Sequence, residues 1–177
     1  MRPFFLAVLL TVCVAQARAV QQTTNPWSTI PRPPRTGSAS YDSEAERDLL
    51  DLVNQARAKA GVAPVQIDDG LTQAARSHSA LMASQKQLSH QLRGELEPPQ
   101  RLAAASTLQL SAEGENVGFG PSAAAVQQCF MRSAHHRETL LNPDYNVVGF
   151  GVVQNGGILY VTEDFGRGQP STKKVLK

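Results

Sequence analysis

Cysteine is scarce in this chain: 177 residues contain only Cys13 and Cys129. Two cysteines exclude a small fold stapled by several disulfides. Net charge is also small, 17 Lys and Arg against 15 Asp and Glu, a formal +2. A balance so close to neutral gives no support to a nucleic-acid partner. Long apolar runs are missing beyond the N-terminus, so no later segment is suited to cross a bilayer. Local catalytic and metal signatures are missing too. There is no G-x-S-x-G, no P-loop, no H-E-x-x-H and no C-x-x-C. What remains is a chain of one-domain length, 41% hydrophobic and 18% charged, which excludes wholesale disorder.

The N-terminus is MRPFFLAVLLTVCVAQARAV. Arg2 precedes an apolar run from Phe4 to Ala15, and Ala17-Arg18-Ala19 follows as an A-x-A cleavage pattern. This reads as a secretory signal peptide over 1–19, and therefore as export to the periplasm or the medium. Val12 is too bulky before Cys13 for a lipoprotein signal. Cleavage would leave Cys129 as the single thiol, expected to be buried in its apolar surroundings. Residues 20–40 carry four prolines, many Ser, Thr and Gln, and Trp27, and read as an extended linker. After Gly166 the sequence RGQPSTKKVLK reads as a basic flexible tail over 167–177. Charge is therefore segregated. All fifteen acids lie between Asp42 and Asp164, with only nine basic residues among them, a formal −6 for that stretch.

Within 41–166 the helical spacing of Leu49, Leu52, Val53, Ala56 and Ala60 predicts a helix over 44–60. Ser43 and Glu46 form its expected capping box, and Gly61 its stop. A second helix is expected from Asp69 to about Gln87, with Leu71, Ala74, Ala75, His78 and Met82 on one face. His78 on that face reads first as a hydrogen-bonded core histidine. Pro98-Pro99 suits the first turn of a short helix to Ala105. Residues 112–118, rich in acids, Asn and Gly, read as a loop. Ser122 is expected to cap a helix carrying Val126, Cys129 and Phe130, and a short helix over 136–141 ends at Asn142-Pro143. Val147 to Val153 and Ile158 to Phe165 read as strands joined at Asn155-Gly156-Gly157. Helices first and a hairpin last predict an α+β fold with helices packed on a sheet.

Several segments, in order, carry a more specific signal: NQARAKAGVAPVQID, ARSHSALMASQKQLSH, EGENVGFG, FMRSAHHRETLLNPDYNVVGFGVV and LYVTEDFG. Together they resemble the bacterial branch of the CAP superfamily, the SCP or sperm-coating-protein domain, over nearly all of 44–166. The resemblance implies a three-layer α-β-α sandwich with a small antiparallel sheet. It implies a cleft gathering His90, Glu115 and His136, in which some family members bind a divalent metal through the histidines. A second family glutamate would fall at Ser133. Phe130 stands where Trp is common, and Ala134-His135 where Pro-Gly is usual, which brings His135 to the cleft as a further polar group.

Two neutral imidazoles and a carboxylate make a partial shell for a divalent ion such as Zn²⁺, and Glu115 would then be the base of a hydrolytic reaction. Three functions follow as expectations. The first is an extracytoplasmic binding or interaction module for a lipid or protein ligand. The second is a metal-assisted hydrolase or protease using His90, His136 and Glu115. The third is envelope association through the basic tail, about one kcal/mol per lysine at an anionic surface.

Overall fold

The computed structural model describes residues 40–170. The expected signal peptide, most of the linker with Trp27, and the tail beyond residue 170 lie outside the described residues. The elements in chain order are β1 (Ser40–Tyr41), α1 (Ser43–Lys59), β2 (Gln66–Ile67), α2 (Asp69–Gln85), α3 (Pro98–Ala105), β3 (Gln109–Gly120), α4 (Ala123–Arg132), α5 (Ala134–Leu141), β4 (Val147–Asn155) and β5 (Ile158–Gln169). One sheet runs in the order β1-β4-β5-β3, with β2 pairing parallel to β4 on the edge that β1 also uses. β4 and β5 form the expected hairpin. Its turn places Gly156 and Gly157 at φ 62° and 77°, positive at both central residues as a tight primed turn requires.

Residue alternation along the hairpin assigns the layers. Val148, Phe150, Val152, Leu159, Val161 and Phe165 share a core with Leu49 and Val53 of α1, Val126 and Phe130 of α4, and Leu140 of α5. The opposite face meets α2 and α3: Val153, Ile158 and Tyr160 pack with Met82 and Ala83, and Val147 with Leu71 and Leu102. With both faces covered, β4 reads as a nearly continuous apolar run. Gly149 and Gly151 are the exceptions, and they set how closely α2 lies. A Cβ on either would come within 2.1 Å of α2 backbone atoms at Leu71 or Ala75. This is the α-β-α sandwich expected from the sequence.

Four boundaries differ from the sequence expectations. Asp42, not Ser43, caps α1, accepting from the Ala45 N–H at 2.9 Å; Glu46 is instead drawn to Arg76 and to the Val152 N–H. α2 ends at Gln85, because Lys86 adopts the left-handed conformation with φ 52°. Residues 112–118 are not a loop but the middle of β3, paired residue by residue with β5 from Glu113↔Gly166 to Gly120↔Leu159. Finally, the flexible tail does not begin at 167, since β5 continues to Gln169. The Asn146 side chain holds that extension, donating to the Gly168 carbonyl at 3.0 Å and accepting from the Gly168 N–H at 2.8 Å. Cys129 is buried and unpaired, as expected, and burial pushes its thiol pKa up.

Candidate functional site

The Gly-Glu-Asn triplet of β3 is the hinge of the site, and each residue has its own reason to be there. Gly114 leaves room for Tyr145: a Cβ would stand 2.5 Å from the phenol oxygen, which donates to the Glu113 carbonyl at 2.9 Å. Glu115 points to the α2–α3 face with only 3% of its side chain exposed. Asn116 points to the other face and donates to the His136 carbonyl at 3.2 Å and to Glu163 Oε2 at 3.1 Å. Because β3 is an edge strand, groups from both layers meet around it.

Both oxygens of Glu115 are engaged. Oε1 lies 2.8 Å from His90 Nδ1, and Oε2 accepts from the Arg101 guanidinium. His90 is the solvent-facing member, with 49% of its side chain exposed. Its position is set from beneath by His78, which is fully buried. Nδ1 of His78 lies 2.9 and 3.0 Å from the two Glu95 oxygens, and Nε2 lies 2.8 Å from the Ser89 carbonyl. Glu95 Oε2 also accepts from the Leu92 N–H. His78 is thus the hydrogen-bonded core histidine its apolar face suggested, and it ties α2 to the 89–95 turn that presents His90.

His136 sits half-buried on α5, its ring 5.1 Å from that of Phe130 and 5.9 Å from the exposed His135. Burial, then the charges of His135 and His90, lower its pKa to about 4, so it is a neutral imidazole at neutral pH. His90 and His136 therefore belong to one electrostatic neighbourhood. Ser133 lies at the junction of α4 and α5, where its side chain makes no capping bond to α5. The structure thus joins His90 to Glu115 directly, and His136 to His90 and His135 through charge. His135 sits at the rim, and Ser133 carries no role in the network described.

Three acids lie beneath the surface on β3 and β5. Asp164 stands opposite Glu115 in the strand register and is fully buried. Burial, then the Glu115 charge, raise its pKa well above the ordinary carboxylate range, with Arg101 opposing. Its neighbour Glu163 faces the other layer, and burial raises its pKa to about 8 against the Asn116 hydrogen bond. Of the three, Glu115 is the one bridged to basic side chains, His90 and Arg101.

The cysteine-rich secretory protein family model, CAP, matches residues 50–165. This chain belongs to the CAP family. The Bacillus subtilis protein YkwD is 31% identical over 124 residues, covering 70% of this chain and 48% of YkwD. The chain therefore spans about half the length of that relative. Among solved structures, an outer surface protein of Borrelia burgdorferi superposes with a TM-score of 0.68 at 21% identity, over 76% of this chain and 100% of that one. An extracellular SCP-domain protein of Bacillus anthracis gives 0.66 at 24% identity, over 71% of this chain and 41% of that chain. At such identities the structural likeness is one of fold.

The CAP domain's cleft residues do not form a closed metal centre here. Among the described residues no three His, Cys, Asp or Glu side chains converge on one point. Nδ1 of His90 is held by Glu115, and Glu115 by Arg101 as well, which leaves Nε2 as the position of the His90 ring open to a ligand. A structural zinc site wants four ligands and a catalytic one three. Sequence reasoning missed Arg101 and Asp164 as partners of Glu115. Arg101 gave no signal, because nothing local ties a basic residue of α3 to a strand residue fourteen positions on. Asp164 lay inside the Glu-Asp-Phe-Gly segment, but its meaning depends on β3 being a strand opposite it.

Proposed function

We propose that this CAP domain is an exported binding module whose cleft, formed by His90, Glu115 and His136 at the β3 edge, takes a lipid or protein ligand in the extracytoplasmic space. The observation that carries this reading is the engagement of Glu115. A carboxylate held at one oxygen by the Arg101 guanidinium and at the other by His90 Nδ1 is a fixed polar anchor whose two oxygens are already engaged. A neutral His136, in the electrostatic neighbourhood of His90, supplies a ring and a polar edge to a bound molecule rather than a charge. The signal-like N-terminus, Arg2 with the run from Phe4 to Ala15, supports export.

The other reading is a metal-assisted hydrolase with His90 and His136 as ligands to a Zn²⁺ cofactor and Glu115 as base. One set of measurements on the full chain separates the two: bound zinc by elemental analysis, and binding of a fluorescent sterol, a fluorescent fatty acid and a peptide array. The expected result is substoichiometric zinc in wild type and in His90→Ala and His136→Ala alike, with at least one ligand class bound and weakened about tenfold in Glu115→Gln. One zinc per chain, lost in either histidine variant together with hydrolytic activity, would establish the hydrolase instead. Binding to none of the probes would remove the module reading.

A further inference from the structure

The ring of His78 is fully buried and meets an acceptor at each nitrogen. Nε2 lies 2.8 Å from the Ser89 carbonyl oxygen, which can only accept, so Nε2 carries a hydrogen. Nδ1 lies 2.9 and 3.0 Å from the two oxygens of Glu95. Two nearly equal distances suit one N–H pointing between the oxygens of a carboxylate, rather than an O–H on one of them aimed at a ring lone pair. Glu95 Oε2 also accepts from the Leu92 N–H at 2.9 Å, the ordinary role of a carboxylate oxygen. A neutral imidazole has a single N–H and can satisfy only one of these two acceptors.

Both acceptors belong to the turn between α2 and α3. The Ser89 carbonyl is part of the peptide unit that leads into His90, and Glu95 grips the same turn from its other end. Other bonds of the turn are internal: Ser89 Oγ donates to the Gln91 carbonyl at 2.6 Å, and the Glu95 N–H to the Leu92 carbonyl at 3.1 Å. Arg101 reaches the His90 and Leu96 carbonyls only at 3.4 and 3.5 Å. Leu92 anchors the turn by packing in the cluster of Met82 and Val117. His78 is the short polar tie between the turn and α2. Few other groups can balance its charge. On the sheet face that α2 covers, β4 has no titratable residue, and β3 and β5 offer the buried Glu115, Tyr160 and Asp164. Tyr160 packs in the apolar cluster, Glu115 is engaged by His90 and Arg101, and burial holds Asp164 well above the ordinary carboxylate range. Glu95 is the counter-ion of His78.

We infer that His78 is an imidazolium latch: it donates from both nitrogens, and the turn that presents His90 keeps its geometry only while both hydrogens are present. Loss of one proton to water breaks one N–H bond. Whichever hydrogen stays, a ring lone pair then faces an oxygen lone pair at 3.0 Å or less. Ser89 or Glu95 must withdraw, and His90 moves with the turn. A histidine is the side chain suited to such a change, and breaking one half of a buried charged pair is what drives it. His78 is a positioning residue, since it acts on the cleft through His90. Its consequence for ligands rests on the binding reading of that cleft: assembled at neutral pH, loosened at alkaline pH.

The test is proton–nitrogen correlation spectroscopy of the histidine rings and backbone amides of the isotope-labelled full chain, followed with pH in wild type and in Glu95→Gln. Wild type at neutral pH should show two hydrogen-bearing nitrogens on His78. Raising the pH should leave one of them bare, and the Leu92 amide should shift with the same midpoint, separate from that of the His90 ring. Glu95→Gln can donate from its amide to Nδ1 while its oxygen still accepts from the Leu92 N–H. That variant should hold the turn with a neutral His78, its hydrogen on Nε2, and show no transition at Leu92. Binding of the sterol, fatty-acid or peptide probe should be lost along the Leu92 transition in wild type and stay level in the variant. The inference is overturned by a bare nitrogen on wild-type His78 at neutral pH, or by a ring that keeps both hydrogens until the domain unfolds. It is equally overturned by a His78 transition that leaves the Leu92 amide or probe binding unmoved, or by an unchanged transition in Glu95→Gln. A cleft that binds none of the probes removes the module reading alone, because the ring and amide signals need no ligand.

Discussion

Arg57 is fully buried and faces no carboxylate in its hydrogen-bond set. Instead its guanidinium donates to four backbone carbonyls: Ala63 at 2.7 Å, Leu140 at 2.9 Å, Asn142 at 3.0 Å and Tyr145 at 2.9 Å. Three of these lie at or just beyond the end of α5, so one side chain of α1 fixes the end of the helix that carries His136. A planar fork with five donors can do this, and an ammonium with three cannot reach the same set. Burial lowers its pKa, yet a guanidinium stays charged. We expect Arg57→Lys to destabilise the domain by about 3 kcal/mol, in the range for a broken buried charged network, read by urea denaturation. A loss below about 0.5 kcal/mol would show that the carbonyls find other partners. Nothing in the sequence marked Arg57. It sits in a helix whose apolar periodicity was plain, and its four acceptors lie 6 to 88 positions away. His78 was easier to read, because a histidine on an apolar helix face must find internal partners.

Elements were legible where local spacing dictates structure, and less so where pairing does. The hairpin, the Pro-Pro start of α3 and the Ser122 cap of α4 all follow from local chemistry, and the structure has them. β3 did not read as a strand because Gly114, Gly118 and Gly120 dilute its β propensity and polar residues fall at inward positions. Its partner β5 and the buried partners of Glu115 and Asn116 override that composition. The same override explains the missed Asp42 cap, since Glu46 is worth more at Arg76 and Val152 than in a capping box. Glycine also decides the sandwich thickness. α2 meets β4 at Gly149 and Gly151, where a methyl would overlap helix backbone rather than a flexible side chain. Backbone on both sides leaves no cheap relief, so Gly149→Ala and Gly151→Ala should each cost at least about 3 kcal/mol, at the upper end for overpacking. Thermal melts of the two variants check this. Gly61, at φ +72° with open space around it, serves as the contrast: Gly61→Ala should cost only about 1 kcal/mol, from backbone strain alone.

At the scale of the whole molecule, charge is arranged so that the acid-rich domain hides some of its acids. Two of the fifteen, Glu163 and Asp164, are fully buried on adjacent positions of β5 and face opposite layers. Burial raises both pKa values, Glu163 to about 8. A carboxyl whose folded pKa lies above its unfolded value holds its proton only in the folded chain. Its neutral form costs nothing below about pH 4.5, but stability falls as pH rises from there to about 8, where the slope ends. His136 works in the opposite sense. Its folded pKa near 4 lies below the unfolded 6.5, so its contribution is complete above 6.5 and is lost as pH falls toward 4. The Glu163 and His136 slopes oppose each other from about pH 4.5 to 6.5; from 6.5 to 8 the His136 slope has ended and the Glu163 loss continues, in the same direction as that of Asp164. The domain should therefore weaken on the alkaline side. Glu163→Gln keeps the shape and the Asn116 contact but cannot ionise. Urea unfolding at about pH 5, 6.5 and 8 should show the variant gaining on wild type by on the order of 3 kcal/mol across that range. A constant difference would mean that Glu163 ionises as readily in the folded domain as in the unfolded chain, and that Asn116 donates its hydrogen bond to a carboxylate rather than to a protonated carboxyl.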